Sequence, residues 1–222
     1  MGRTLLDKRV WWIGGPALLA MIAALFSWSN NSHADLVRDL DSADPATRAA
    51  AAETLAKRGH RAIDERVDAM LGEGPDVRMA HGAAVGYAKR GDEQARQQLR
   101  RMMSEARDAA VRGAAAAAWG MTEDTGASPL LELLKSEDAE ARLGAMTGLS
   151  RMADPDRRDL LPVFLNHLSD SDTEMRRRSI RALHRVTVTR FSFDPQEDPQ
   201  SAAHRQSITF IQNYLTQHGV VP

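Results

Sequence analysis

Arginine returns at Arg48, Arg78, Arg112, Arg142 and Arg176, and seven residues after each stands a large apolar residue: Leu55, Val85, Trp119, Leu149 and Leu183. The intervals between the arginines are 30, 34, 30 and 34 residues. A period in this range marks a solenoid, in which one supersecondary unit stacks on the next because a single unit cannot bury its own apolar face. Arg48 to Arg112, Arg78 to Arg142 and Arg112 to Arg176 each span 64 residues. Duplication of a two-repeat unit and unrelated insertions in loops both produce this alternation.

Each unit reads as helical. In the first, Asp44-Pro45-Ala46-Thr47-Arg48 opens a helix and Gly59 closes it. Aspartate at an N-cap accepts the free amides of the first turn, proline next to it has no amide to waste, and glycine suits the left-handed residue that ends a helix. Asp108, Asp138 and Asp172 stand four residues before their arginines, while the second repeat has Gly74 there and Asp76 two residues later. Counting from each arginine, positions −1, +3, +4 and +7 share one helical face. In the third repeat these are Val111, Ala115, Ala116 and Trp119, and in the fourth Ala141, Ala145, Met146 and Leu149. Small apolar residues let neighbouring helices approach closely, which agrees with an aromatic content of only 5%. Weaker partner helices are predicted over 61–71, 92–105, 128–134 and 159–168, with a short one around Leu36 and Leu40. The expected fold is all-α: a solenoid of about five helical hairpins over 35–186. A loop insertion over 187–200, β-prone at its start, precedes a capping helix and tail over 201–222.

The order of acidic residue, small residues, Val/Ala-Arg, alanine-rich helix, leucine and glycine resembles HEAT-like repeats of the phycobilisome-lyase type. It is carried by Asp108, Val111 and Arg112 with Ala114 to Ala118, and by Asp138, Ala141 and Arg142 with Ala145 and Leu149. The resemblance implies a ladder between repeats made by Asp44, Arg48, Arg78, Asp108, Arg112, Asp138, Arg142, Asp172 and Arg176. It also implies, as one functional alternative, a chaperone-like or bilin-attaching factor. A fold of this kind identifies an architecture and hardly any activity.

The first residues carry a separate signal. Val10 to Trp28 are 19 residues without a charge, flanked by Trp11, Trp12 and Trp28. As a helix they span roughly 28 Å, about the thickness of bilayer hydrocarbon. Arg3, Lys8 and Arg9 precede the stretch, and the next positive charge is Arg38, among Asp35, Asp39 and Asp41. The positive-inside rule then puts residues 1–9 in the cytoplasm and the main body outside. The expectation is a single-pass anchor in a bacterial inner membrane with a periplasmic or extracytoplasmic body. The alternative is a signal segment cleaved after Ala34, at Ser32-His33-Ala34.

Little else points to chemistry. The chain has no cysteine, which removes thiolate metal sites and a cysteine nucleophile. Its seven histidines include no pair at i, i+4 and no HExxH, and there is neither a GxSxG elbow nor a glycine-rich phosphate loop. The formal net charge is −1, so no global basic excess marks a nucleic-acid binder. No cofactor, metal or nucleic acid is expected. Two features remain as candidate partner contacts. Arg177, Arg181 and Arg185 form one helical stripe, which is a contact face or merely a solvated one. Phe191 and Phe193 lie two apart in the insertion, where they either meet a partner or fold back as part of the cap. The expectation is a non-catalytic scaffold or accessory subunit that binds a protein partner, with the second helix of each hairpin as its contact face.

Overall fold

The computed structural model describes residues 33–72, 74–123 and 126–219, and among them the chain is helical without a strand. Residues 33–39 are helical. There follow α1 (Pro45–Arg58), α2 (Arg61–Met70), α3 (Val77–Arg90), α4 (Glu93–Glu105), α5 (Ala109–Trp119), α6 (Ser128–Leu133), α7 (Ala139–Met152), α8 (Leu161–Asn166), α9 (Thr173–Thr187) and α10 (Ala202–Gln217). The odd-numbered helices α1 to α9 pack side by side in chain order, and the partner helices pack against them. The core lies between, from Leu40 and Leu55 through Tyr87, Trp119 and Leu149 to Leu183 and Leu215.

The helices begin where the aspartates stand. Asp44, Asp76, Asp108 and Asp172 each accept amide hydrogens from the first turn that follows; Asp138 occupies the same position without such a bond. Between these caps the intervals are 32, 32, 30 and 34 residues. The second repeat is therefore two residues out of phase with its arginine. Counted from Asp76, the residue equivalent to Arg48 is Ala80, and the equivalent of Leu55 is Tyr87. Tyr87 is fully buried and donates its hydroxyl to Asp64 at 2.6 Å, whereas Val85 is half-buried and Arg78 exposed. Burial and the Asp64 carboxylate push the Tyr87 hydroxyl well above the ordinary tyrosine pKa.

Glycine decides how closely the helices stack. Gly82 and Gly86 in α3, and Gly144 and Gly148 in α7, lie six and ten residues after their capping aspartates. A β-carbon on Gly82 would sit 2.2 Å from the carbonyl oxygen of Ala49, and one on Gly86 2.2 Å from that of Glu53. On Gly144 it would sit 2.2 Å from Gly113 Cα, and on Gly148 2.4 Å from Ala116 O. Thus α3 rests on α1, and α7 on α5, with backbone against backbone. The same positions hold Ala114 and Ala118 in α5, and Arg178 and Ala182 in α9, so the junctions α3–α5 and α7–α9 lack this contact.

Two expectations need correction, and a third falls on residues the structure does not describe. The helix predicted over 159–168 is broken into a 3-10 turn (Arg158–Leu160), α8 and a second 3-10 turn (His167–Ser169). Pro162, which lacks an amide hydrogen, stands at its first turn. The β-prone start of the insertion forms no strand; Val188 ends α9 in the left-handed conformation and the chain folds back over the array. Among the described residues no helix is long and apolar enough to cross a membrane. The candidate span 10–28, with Trp11, Trp12 and Trp28, lies outside the described residues.

The glycine contacts make a direct prediction. Alanine gains about 1 kcal/mol over glycine in a helix interior, but overpacking costs about 1–3 kcal/mol and more where backbone must move. Gly144→Ala is therefore expected to lower the melting temperature in a circular-dichroism scan. A raised or unchanged midpoint refutes backbone contact between α5 and α7.

Candidate functional site

The arginines at the capping-aspartate-plus-four position serve the turns. In each, one guanidinium nitrogen, Nη1, donates to the carbonyls six and five residues earlier. For Arg48 these are Ser42 at 2.7 Å and Ala43 at 3.1 Å; for Arg112, Ala106 at 2.7 Å and Arg107 at 2.8 Å. For Arg142 they are Ser136 at 2.8 Å and Glu137 at 2.6 Å; for Arg176, Asp170 at 2.6 Å and Ser171 at 2.9 Å. The rest of the fork reaches across to the neighbour. Arg48 Nε donates to Asp76 at 2.5 Å, and Arg112 Nη2 donates to Asp138. Both links fall inside the glycine-packed pairs; Arg142 makes no bond to Asp172. Partial burial works against the Asp76 carboxylate, but the Met79 amide and the Arg48 guanidinium outweigh it and hold its pKa below the ordinary value.

Arg176 has no sixth repeat to reach. Its Nε donates instead to Pro195 O at 2.9 Å and its Nη2 to Glu197 O at 3.3 Å, so the insertion stands where the next aspartate would be. The side chain is 2% exposed. Arg78, by contrast, has a guanidinium without a hydrogen-bond partner among the described residues and faces outward. Sequence reasoning missed a further set of rungs, thirteen residues past the caps. Lys89 pairs with Glu53, Arg151 Nη1 donates to Ala117 O at 2.5 Å, and Arg185 Nη1 donates to Ser150 O at 2.8 Å. Each reaches back to the preceding arginine helix. Their signal was available as a recurrent basic residue near the helix end, once the second repeat is phased on Asp76.

The outer face of the same helices carries an open groove of about 690 Å³ running from α1 to α9. Ala46, Ala49, Ala110, Gly113, Ala114 and Gly144 give it a floor of small groups, while Arg78, His81, Glu140 and Arg178 supply its polar lining. Paired as partner helix followed by arginine helix, with 33–39 as the first partner, each hairpin presents its second helix to this groove. Arg177 and Arg181 lie in α9 at the offsets that face the groove in other repeats. Arg177 pairs with Glu174, and Arg181 is exposed with no ion pair among the described residues. Of the predicted stripe, Arg185 is occupied as a rung.

The two phenylalanines belong to the cap. Phe191 is 7% exposed, with its ring edge-on to Tyr214 at 5.4 Å, so it offers no surface to a partner. Phe193 is half-buried against His204 at 4.9 Å. His204, 2% exposed, bonds the Leu168 carbonyl at 2.9 Å and ties α10 to the last partner helix. Among the described residues no group of three or more histidine, aspartate or glutamate side chains is placed to hold a metal.

Two predictions follow from these contacts. Leaving buried carbonyls unpaired costs about 1–3 kcal/mol, so Arg176→Ala is expected to destabilise the chain by about 3 kcal/mol in urea unfolding. Arg78→Ala should stay within about 0.5 kcal/mol, as exposed substitutions do; equal losses overturn the assignment. The second concerns His184, whose Nε2 accepts the Phe191 amide at 3.1 Å and is therefore unprotonated. Burial of the ring pushes its pKa below the ordinary histidine value, and Arg190 adds to the shift. The unfolded chain takes up this proton near pH 6.5 while the folded chain resists it, so stability falls as pH drops from about 6.5 toward the folded pKa. His184→Gln is expected to flatten that part of the profile of melting temperature against pH.

A family comparison agrees with this architecture. The chain matches HEAT repeats over residues 21–120 and 127–202, and the match names no lyase subgroup. Among solved structures, the crystal structure of an engineered protein is similar at 17% identity and a TM-score of 0.47, with 84% of this chain and 97% of that chain covered. No curated protein matches. With the match extending over most of the sequence, and with capped, arginine-clamped hairpins stacked along it, the chain belongs to the HEAT-repeat family.

Proposed function

We propose that this chain is a non-catalytic scaffold that binds a protein partner in the groove of its arginine-bearing helices. The observation that carries the reading is the groove itself: an open channel with an apolar floor, crossing the layer from α1 to α9. Exposed apolar surface of this kind is characteristic of interaction sites. The ladder arginines support the same reading, because they are spent on turns and neighbouring caps rather than aimed at a substrate. HEAT repeats as a family are suited to such a role, since stacked hairpins make a continuous surface.

The finer proposal is that the scaffold works at a membrane. Residues 10–28 act as a single-pass anchor in a bacterial inner membrane, with 1–9 cytoplasmic and the repeats on the extracytoplasmic side. Its support is the uncharged 19-residue stretch, the tryptophans at its ends and the basic residues before it. Confining scaffold and partner to one surface raises their effective concentration. Nothing observed favours bilin attachment over this.

One experiment addresses both parts. The tagged full chain is expressed in a bacterium, its fractionation and intact mass are measured, and partners are recovered in mild detergent from wild type and from Ala114→Trp, which places an indole on the groove floor. The expected result is an uncleaved membrane protein whose partner is lost by tenfold or more in the variant, at a temperature where circular dichroism shows the variant still folded. Equal recovery sinks the groove as the binding site, and a chain beginning after Ala34 sinks the anchor.

A further inference from the structure

The groove is lined by two arginines, Arg78 and Arg178, against one acid, Glu140, although the chain as a whole has a net charge of −1. At its α9 end, Arg177, Arg178 and Arg181 stand on the outer face with Arg151 of α7 close by, and among the described residues Glu174 is the one acid that pairs with them. Glu174 bonds Arg177 and lies 3.9 Å from Arg178. Arg178 Nε is enclosed without an acceptor among the described residues. Burial, and after it the neighbouring Arg178, push the Arg151 guanidinium below its ordinary pKa. Farther along the groove Arg78 is exposed, with no ion pair among the described residues.

We propose that the occupant of the groove is an acidic segment of a protein partner, with apolar side chains on the small-residue floor and carboxylates on Arg178 and Arg181 at one end and Arg78 toward the other. The inference rests on the scaffold reading and names the partner's chemistry. Two rivals fit less well. A single-stranded nucleic acid needs aromatic platforms for its bases, and no aromatic ring lines this groove apart from the imidazole of His81. A bilayer surface meets the rim arginines but leaves a recessed apolar floor unfilled. Packed helices lie about 8–10 Å apart, so the four steps from α1 to α9 cover roughly 35 Å. An extended segment of about eleven residues spans that distance at about 3.3 Å per residue.

The test pans a library of random 12-residue peptides against the full chain in mild detergent and measures the selected peptides by fluorescence anisotropy at low and high salt. Peptides rich in Asp and Glu with interspersed apolar residues are expected. Their affinity should fall at least tenfold in Arg178→Glu/Arg181→Glu and with added salt, and change less than twofold in Lys135→Glu, away from the groove. Should the double variant fail to fold, Arg78→Glu on the exposed face of α3 is expected to weaken binding at least threefold. Neutral peptides that ignore charge reversal but are lost in Ala114→Trp overturn the acidic occupant and leave the scaffold standing. Peptides insensitive to every groove substitution overturn both. Binding of single-stranded DNA or of phosphatidylglycerol vesicles that depends on Arg178, without binding of acidic peptides, also overturns the proposal.

Discussion

One guanidinium group gripping two successive carbonyls is the contact around which this array is organised. The turns that lead into the arginine helices have carbonyls no helix can satisfy, and burying them unpaired would be costly. Arginine one turn into the following helix solves this with a single nitrogen, which leaves the rest of its planar fork for the neighbour. Lysine has the charge but no rigid fork with which to hold a turn and a cap together. In α3 the equivalent residue is Ala80, so the turn before that helix is closed without the clamp. The repeat is instead fastened by Arg48, reaching from α1 to the Asp76 cap.

The array is correspondingly uneven. Where glycines bring two backbones together, in α1–α3 and α5–α7, an arginine also reaches the next aspartate. Neither device is present at α3–α5 or α7–α9. The two junctions lack the link for different reasons: α3 has Ala80 at the clamp position, whereas Arg142 of α7 is present and makes no bond to Asp172. A pair of hairpins, rather than one hairpin, is the tightly coupled unit. The fifth is joined to the second pair by side chains such as Met146, Ser179 and Arg185.

Much of this was legible in the residues. Aspartate caps, terminal glycines and a small apolar face specify short helices packed closely, and those helices are where the pattern put them. The second repeat shows how the reading slips. Arg78 and Val85 have the right residue types at the right separation, so they mimic the pattern two residues early. Asp76 and Gly91, spaced as Asp44 and Gly59 are, carry the true phase, and Tyr87 fills the buried position. The glycines were visible but ambiguous: a glycine within a helix does not say which neighbour approaches it. The groove was hidden for the same reason, since it is a property of offsets shared by five helices, and one misphased helix scrambles the comparison. The aromatic pair in the insertion was legible as a choice between partner and cap, and the backbone reversal at Val188 turns Phe191 inward.

Arg176 shows what limits the length of such a stack. Its free hydrogens are taken by the carbonyls of Pro195 and Glu197, in a loop with no helix of its own. That loop counterfeits the edge of another repeat, so the series stops without leaving an adhesive end for a second molecule to continue. Termination is thus a local forgery rather than a property of the repeats, and replacing the forgery with a genuine aspartate-capped hairpin would restart the count.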